Sequence, residues 1–242
     1  MFSGFMCIVH ASRNEFMPAA WFIVLAAGFD AFDGMMARIT KSSSAFGVQI
    51  DSLSDVVSFG AAPAFLVYQL HLHTLGGLGI FISSLLMVLG GLRLARFNVQ
   101  LVGFEKDHFV GLPIPVSALT VASFVMYFLT PEGRLPEGPQ TALPWMIPVL
   151  GLLMVSRFRY ETLPRLSRKA VRKEPWKFAF ALFSVLLILL TGGDALFPLF
   201  ILYIVLGILR TLVLWVRQMG KRVEPFEAEE DEDEEAIESN SN

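Results

Sequence analysis

Eight apolar segments leave this chain one environment in which to fold. They cover residues 1–9, 17–38, 46–70, 75–97, 110–130, 141–156, 176–192 and 195–217. A helix that spans a bilayer needs roughly 20 mainly apolar residues, and most of these segments reach or approach that length. Charged residues make up 17% of the chain, against roughly 25% in soluble domains, so the segments are read as membrane helices. The expected fold is an all-α, polytopic integral membrane bundle. Segment 1–9 is too short to span and reads as the second half of a helix, with translation expected to begin further upstream. The single cysteine, Cys7, excludes an intramolecular disulfide and reads as a small apolar helix residue. No basic stretch precedes the first apolar residues, so a cleavable signal peptide is not expected.

Charge divides the chain into two parts. Residues 224–242 hold ten acids and no base, too acidic and too poor in apolar side chains to fold. The expected organisation is a membrane-embedded domain over 1–222 and an acidic, disordered cytoplasmic tail over 223–242. Lys and Arg set the orientation. If the turn at 38–45 is cytoplasmic, 17 of the 19 Lys and Arg residues fall on that side, leaving Arg13 and Arg134 opposite. The basic stretch from Arg157 to Lys177 reads as a topology determinant that touches anionic headgroups.

Within this apolar chain, Asp30, Asp33, Asp51 and Asp55 lie within 26 residues of one another. An ionisable side chain in hydrocarbon costs roughly 2.5–3.5 kcal/mol on insertion scales, and four carboxylates together repel one another. Such a cluster is tolerated at the water-facing end of its helices with cations to hold. At about 100° per residue, Asp30 and Asp33 are roughly 60° apart and Asp51 and Asp55 roughly 40° apart. Gly34 and Ala37 share the first face, and Gly47, Ser54 and Ser58 lie beside the second. Two antiparallel helices with these faces opposed would gather the carboxylates around one cavity with room for a bulky ligand. Hard oxygen donors suit Mg2+ or Mn2+, and carboxylates without His or Cys suit phosphate chemistry with two metal ions. Small-residue helix packing is the competing reading for Gly34, Ala37 and Gly47.

The pattern D-x2-D-G-x2-A-R-x8-G-x3-D-x3-D, filled here from Asp30 to Asp55, resembles the signature of the CDP-alcohol phosphatidyltransferases. The resemblance implies a six-helix transmembrane core, here with about two further C-terminal helices. Gly91–Asn98, Gly111–Pro115, Met154–Tyr160 and Asp51–Gly60 are similar to the membrane-embedded phosphatidylserine synthase branch. That branch implies transfer of the phosphatidyl group from CDP-diacylglycerol to the hydroxyl of L-serine, with release of CMP. By the same resemblance Asp30, Asp33 and Asp51 hold two metals, and Asp55 is the base, a metal ligand, or both. Asp30, Gly34, Ala37, Arg38 and Gly47 match nucleotide-binding positions. Arg38 also reads as a positive-inside anchor.

Arg93 and Arg96, one helical turn apart, and Asn98 just beyond are candidates for the serine carboxylate or the donor phosphate. Snorkelling anchors are the alternative for the two arginines. Pro113 and Pro115 either free carbonyls for an acceptor pocket or kink a helix. No catalytic pairing is evident for the four histidines. The expected setting is a bacterial-type cell membrane, with the site and C-terminus cytoplasmic and a homodimer compatible with the small-residue faces. No motif points to nucleic acid. Two competing readings are a relative with a phosphorylated acceptor, such as glycerol phosphate or inositol phosphate, and a divalent-cation transporter. Transport is disfavoured because the carboxylates crowd one side instead of lining a full crossing.

Overall fold

A computed structural model describes residues 1–40, 45–102, 111–156, 158, 160, 190, 191 and 193–221. All regular elements among them are helical: α1 (Phe2–Ser12), α2 (Phe16–Thr40), α3 (Ala45–Asp55), a π-helical turn (Val56–Ala61), α4 (Ala62–Leu70), a 3-10 turn (Leu72–Leu75), α5 (Gly77–Val102), α6 (Ile114–Phe128), α7 (Glu137–Val155) and α8 (Leu196–Lys221). Five stretches are long and apolar enough to cross a membrane: Phe16–Met36, Phe46–Leu70, Gly77–Val99, Glu137–Val155 and Leu196–Trp215. The protein is therefore an all-α, polytopic integral membrane protein. The segment at 176–192 and the acidic tail lie almost wholly outside the described residues.

Helix α6 occupies the centre of the bundle. Ile114, Ala118, Val121, Ala122 and Val125 on it are fully buried. Helices α2 and α8 pack on α6, α1 packs on α2 and α4, and α5 packs on α7 and the π-turn. The outward faces carry large exposed apolar residues, among them Trp21, Phe29, Phe81, Trp145, Leu152 and Trp215. In water an apolar surface of this extent would drive association; against lipid it has a matching solvent.

Two departures from the expected helices have local causes. The apolar run at 46–70 is not one regular α-helix, because it widens into the π-turn directly after Asp55. Pro63, in the first turn of α4, has no N–H for the carbonyl one turn upstream, and a π-turn re-spaces the ladder there. The helix expected from 110 begins at Ile114 instead. Gly111 has φ 89°, a backbone that favours glycine, and any Cβ there would run into the Met154 carbonyl. Its N–H donates to the Phe158 carbonyl (2.8 Å), and Leu112 N–H donates to Leu153 (3.0 Å). Pro113 is the N-cap of α6 and Pro115 lies in its first turn, where a missing N–H costs nothing. The two prolines start this helix and do not kink it.

One end of the bundle is closed by side-chain contacts. His10 Nδ1 meets a Glu15 carboxylate oxygen, and the His10 ring stacks on Phe22 at 5.1 Å. Gln69 Nε2 donates to Asn14 Oδ1 at 3.4 Å. His71 and His73 lie at this same end, about 20 Å along α2 from Asp30 at 1.5 Å per residue.

Candidate active site at the ends of α2, α3 and α5

The opposite end carries the acids. Asp30 lies on α2, and Asp51 and Asp55 lie on α3, one helical turn apart. One carboxylate oxygen from each of the three lies within 4.8 Å of the others. Asp51 is exposed, and Asp30 and Asp55 are half-buried. Asp33 lies further along α2, is exposed, and stands outside this triplet. Its charge is still felt at Asp30 and Asp51. The structure thus draws three of the four carboxylates together and leaves the fourth at the rim.

Three convergent negative charges are unfavourable alone. The donor set is all oxygen, with neither imidazole nor thiolate in the group. It therefore fits a hard divalent cation of the Mg2+ or Mn2+ kind. Gly34 faces open space, since a Cβ there would meet nothing within 4 Å, which favours ligand room over helix packing at this position. Gly47 is exposed on α3. The side chains of Ala37 and Arg38, in the last turn of α2, lie outside the described residues, as does the loop at 41–44.

Across from the acids stands α5. Arg93 is half-buried and close enough to Asp55 for their opposite charges to interact. Its Nε is buried and has no hydrogen-bond partner. The other two candidates on this helix are already engaged within the protein. Arg96 Nη1 donates to the Val155 carbonyl at 3.1 Å, which ties α5 to the last turn of α7. Asn98 Nδ2 donates to Ser52 Oγ at 2.9 Å, which ties α5 to α3 beside Asp51. Of the three, Arg93 alone keeps a buried donor unmatched.

Two tyrosines lie on the side of Arg93 away from the acids: Tyr160 ends the Met154–Tyr160 stretch that carried the family resemblance without a role being assigned to it, and Tyr203 was not singled out in the sequence. Tyr160 is 5% exposed, and its hydroxyl is buried without a partner. It stacks on Tyr203 of α8, with ring centroids 5.8 Å apart, and Tyr203 is within electrostatic reach of Arg93. The available signal was composition: with 22 Phe against 4 Tyr, a Tyr inside the bundle stands where this chain ordinarily uses Phe.

Comparison with known proteins decides the family. Residues 1–156 match the CDP-alcohol phosphatidyltransferase family. The chain belongs to that family. Among its relatives is a CDP-diacylglycerol–serine O-phosphatidyltransferase of Helicobacter pylori, 35% identical over 90% of this chain and 89% of the relative. Another protein of that name, from Methanocaldococcus jannaschii, is 34% identical over 78% of this chain and 81% of its own. An archaetidylserine synthase of Methanothermobacter thermautotrophicus is 42% identical over 51% of this chain and 53% of its own. As a CDP-alcohol phosphatidyltransferase the protein is a transferase, and its acidic triplet lies in the segment that carries the family signature.

Proposed function

We propose that this protein transfers the phosphatidyl group of CDP-diacylglycerol to L-serine, forming phosphatidylserine and CMP. The observation that carries the reading is the convergence of Asp30, Asp51 and Asp55 within a chain 35% identical, over 90% of its length, to a CDP-diacylglycerol–serine O-phosphatidyltransferase. Asp30, Asp33, Asp51 and Asp55 would hold two divalent ions, Mg2+ or Mn2+. When bound, these ions supply charge neutralisation for the diphosphate and for departing CMP. Gly34, Ala37 and Gly47 let the cytidine lie against the helix backbones, and Arg38 bonds a phosphate or the nucleotide.

Asp55 accepts the proton of the serine hydroxyl. That oxygen forms its bond to the β-phosphorus as the bond to the CMP oxygen breaks, and the negative charge leaves on CMP. Asp55 is half-buried against Arg93, so it is screened from bulk water on that side. Arg93 serves the acceptor, while Arg96 and Asn98 fix the helices around it. The 17-to-2 split of Lys and Arg supports a cytoplasmic site and C-terminus. Residues 1–222 make the membrane unit and 223–242 the acidic tail, and the small-residue faces are compatible with a homodimer.

The test is CMP release from CDP-diacylglycerol by purified protein in detergent with Mn2+ or Mg2+, comparing serine, glycerol 3-phosphate and myo-inositol 1-phosphate. Release with serine alone is expected. Release with a phosphorylated acceptor alone would keep the chemistry and overturn the choice of acceptor.

A further inference from the structure

Helix α8 lies wholly beyond residues 1–156, which match the family, and most of it faces outward. Two aromatic contacts dock it on the rest of the protein. In the first, the Phe197 ring lies 5.4 Å from Phe124 and 5.5 Å from Phe128 of α6. The second comes six residues later, about 9 Å along the helix at 1.5 Å per residue. There Tyr203 stacks on Tyr160 with ring centroids 5.8 Å apart, and Gly207 lies against the same ring. Residues four apart share a helix face, so Tyr203 and Gly207 form one slot around Tyr160. A Cβ at 207 would run into Cδ1 and Cε1 of that ring, which is itself buried.

The slot grips a residue whose neighbours are hydrogen-bonded back into the bundle. The Phe158 carbonyl accepts from Gly111 N–H (2.8 Å) and the Leu153 carbonyl from Leu112 N–H (3.0 Å). Phe158 N–H donates to Ser156 Oγ (3.4 Å). The Val155 carbonyl accepts from Arg96 Nη1 (3.1 Å), and Arg96 stands one turn beyond Arg93 on α5. A chain of direct contacts therefore runs from α8 through Tyr160 and the end of α7 to the helix that carries Arg93. Tyr203 also lies within electrostatic reach of Arg93.

We propose that Tyr203 and Gly207 are positioning residues for the acceptor: their slot holds Tyr160 and, through the end of α7 and Arg96, sets where α5 presents Arg93. The inference rests on the proposed role of Arg93 at the acceptor, and it does not depend on the acceptor being serine. It makes α8 a working part of the site and not only a membrane anchor. The acids of α2 and α3 take no part in this chain of contacts, so the slot acts on the acceptor and leaves the CDP-diacylglycerol side alone. The ring of Tyr160 carries the effect, because the ring is what the slot touches.

The experiment is steady-state CMP release by the purified full-length protein, Gly207→Ala, Tyr160→Ala, the double variant and Tyr160→Phe, varying serine and CDP-diacylglycerol in turn. Gly207→Ala should raise the serine KM about fivefold, part of the roughly tenfold or more that losing a whole charged hydrogen bond would bring. The KM for CDP-diacylglycerol should hold. Tyr160→Ala should raise the serine KM similarly, and adding Gly207→Ala to it should change nothing more, since no ring is left to meet the new Cβ. Tyr160→Phe keeps the ring and should keep the wild-type KM. A Gly207→Ala protein with a lower melting temperature but both KM values unchanged would make α8 a packing element and overturn the proposal. A raised KM for CDP-diacylglycerol, or full additivity in the double variant, would overturn it equally. Should Gly207→Ala not fold, the two Tyr160 variants decide, because an equal serine KM in Phe and Ala would rule out the ring. A wild type that used another alcohol and not serine would overturn the proposed function, and the same ratios would then be read on that alcohol.

Discussion

The two walls of the site are built on opposite principles. The α2–α3 wall gathers like charges and leaves them half-buried or exposed, with open space beside Gly34. The side that holds Arg93 of α5 and Tyr203 of α8, with Tyr160 stacked on Tyr203, has two buried donors without partners, Arg93 Nε and the Tyr160 hydroxyl. Carboxylates that hold cations need access to water and to ions, and lose their charge if sealed away. Donors that read a small anion do the opposite, since they discriminate best where water cannot compete. On the proposed function, the acidic wall serves phosphate chemistry and the Arg93 side serves selection of the acceptor. Each expectation below would break or sharpen that division.

The largest effects belong on the acidic wall. Chelation with EDTA should abolish CMP release, and Mn2+ or Mg2+ should restore it. Asp55→Asn keeps the shape and removes the base, and should lower kcat by about 10^3, within the range for a general base. Measured by CMP release on monodisperse protein, a loss of less than tenfold would move the base elsewhere and blur the contrast between the walls.

The acidic wall was legible in the sequence because its signal is chemical. Four Asp residues in an apolar chain are costly anywhere except at a cation site, and their helical spacing already implied a shared face. The apolar runs revealed the helices for a similar reason, since length and hydropathy are what a bilayer demands. The second wall was legible only in part, through Arg93 and the Met154–Tyr160 stretch, and the pairing of its tyrosines was not. Tyr160 and Tyr203 are 43 residues apart in sequence and meet only because α8 returns across the bundle. The exclusion of Asp33 from the triplet was equally hidden, since the angle along one helix does not say how a second helix crosses it. The π-turn after Asp55 could be suspected from Pro63, but not its placement.

The glycines offer a contrast of intermediate size. A Cβ on Gly34 meets nothing, whereas one on Gly4 would stand 2.6 Å from the Ser58 Cα, where backbone must move. Gly4→Ala gains up to about 1 kcal/mol of helix propensity and loses about 1–3 to overpacking between α1 and the π-turn. It should therefore lower the melting temperature in detergent. Gly34→Val should leave the melting temperature within a degree or two and raise the KM for CDP-diacylglycerol about tenfold, the scale of one lost polar contact to a charged ligand. Equal destabilisation by both would make Gly34 a packing residue and remove it from the ligand side of the division.

The smallest effect falls on the tie between the walls. Asn98 donates to Ser52 Oγ, and Ser52 in turn donates to the Val48 carbonyl at 3.0 Å. Asn98→Ala deletes one part-buried neutral hydrogen bond, worth about 1 kcal/mol, and leaves Ser52 its own bond to α3. Helix α3 should keep its shape but lose one restraint on its distance from α5, and with it a restraint on Asp51. The expected outcome is a fall of a few-fold in kcat, because misplacing a catalytic group slightly is felt in the transition state. The serine KM should not move, since Arg93 is untouched. A variant in which the serine KM rises while kcat holds would put Asn98 in the acceptor seat itself. The two walls would then share a residue, and selection and chemistry would no longer be separable in this site.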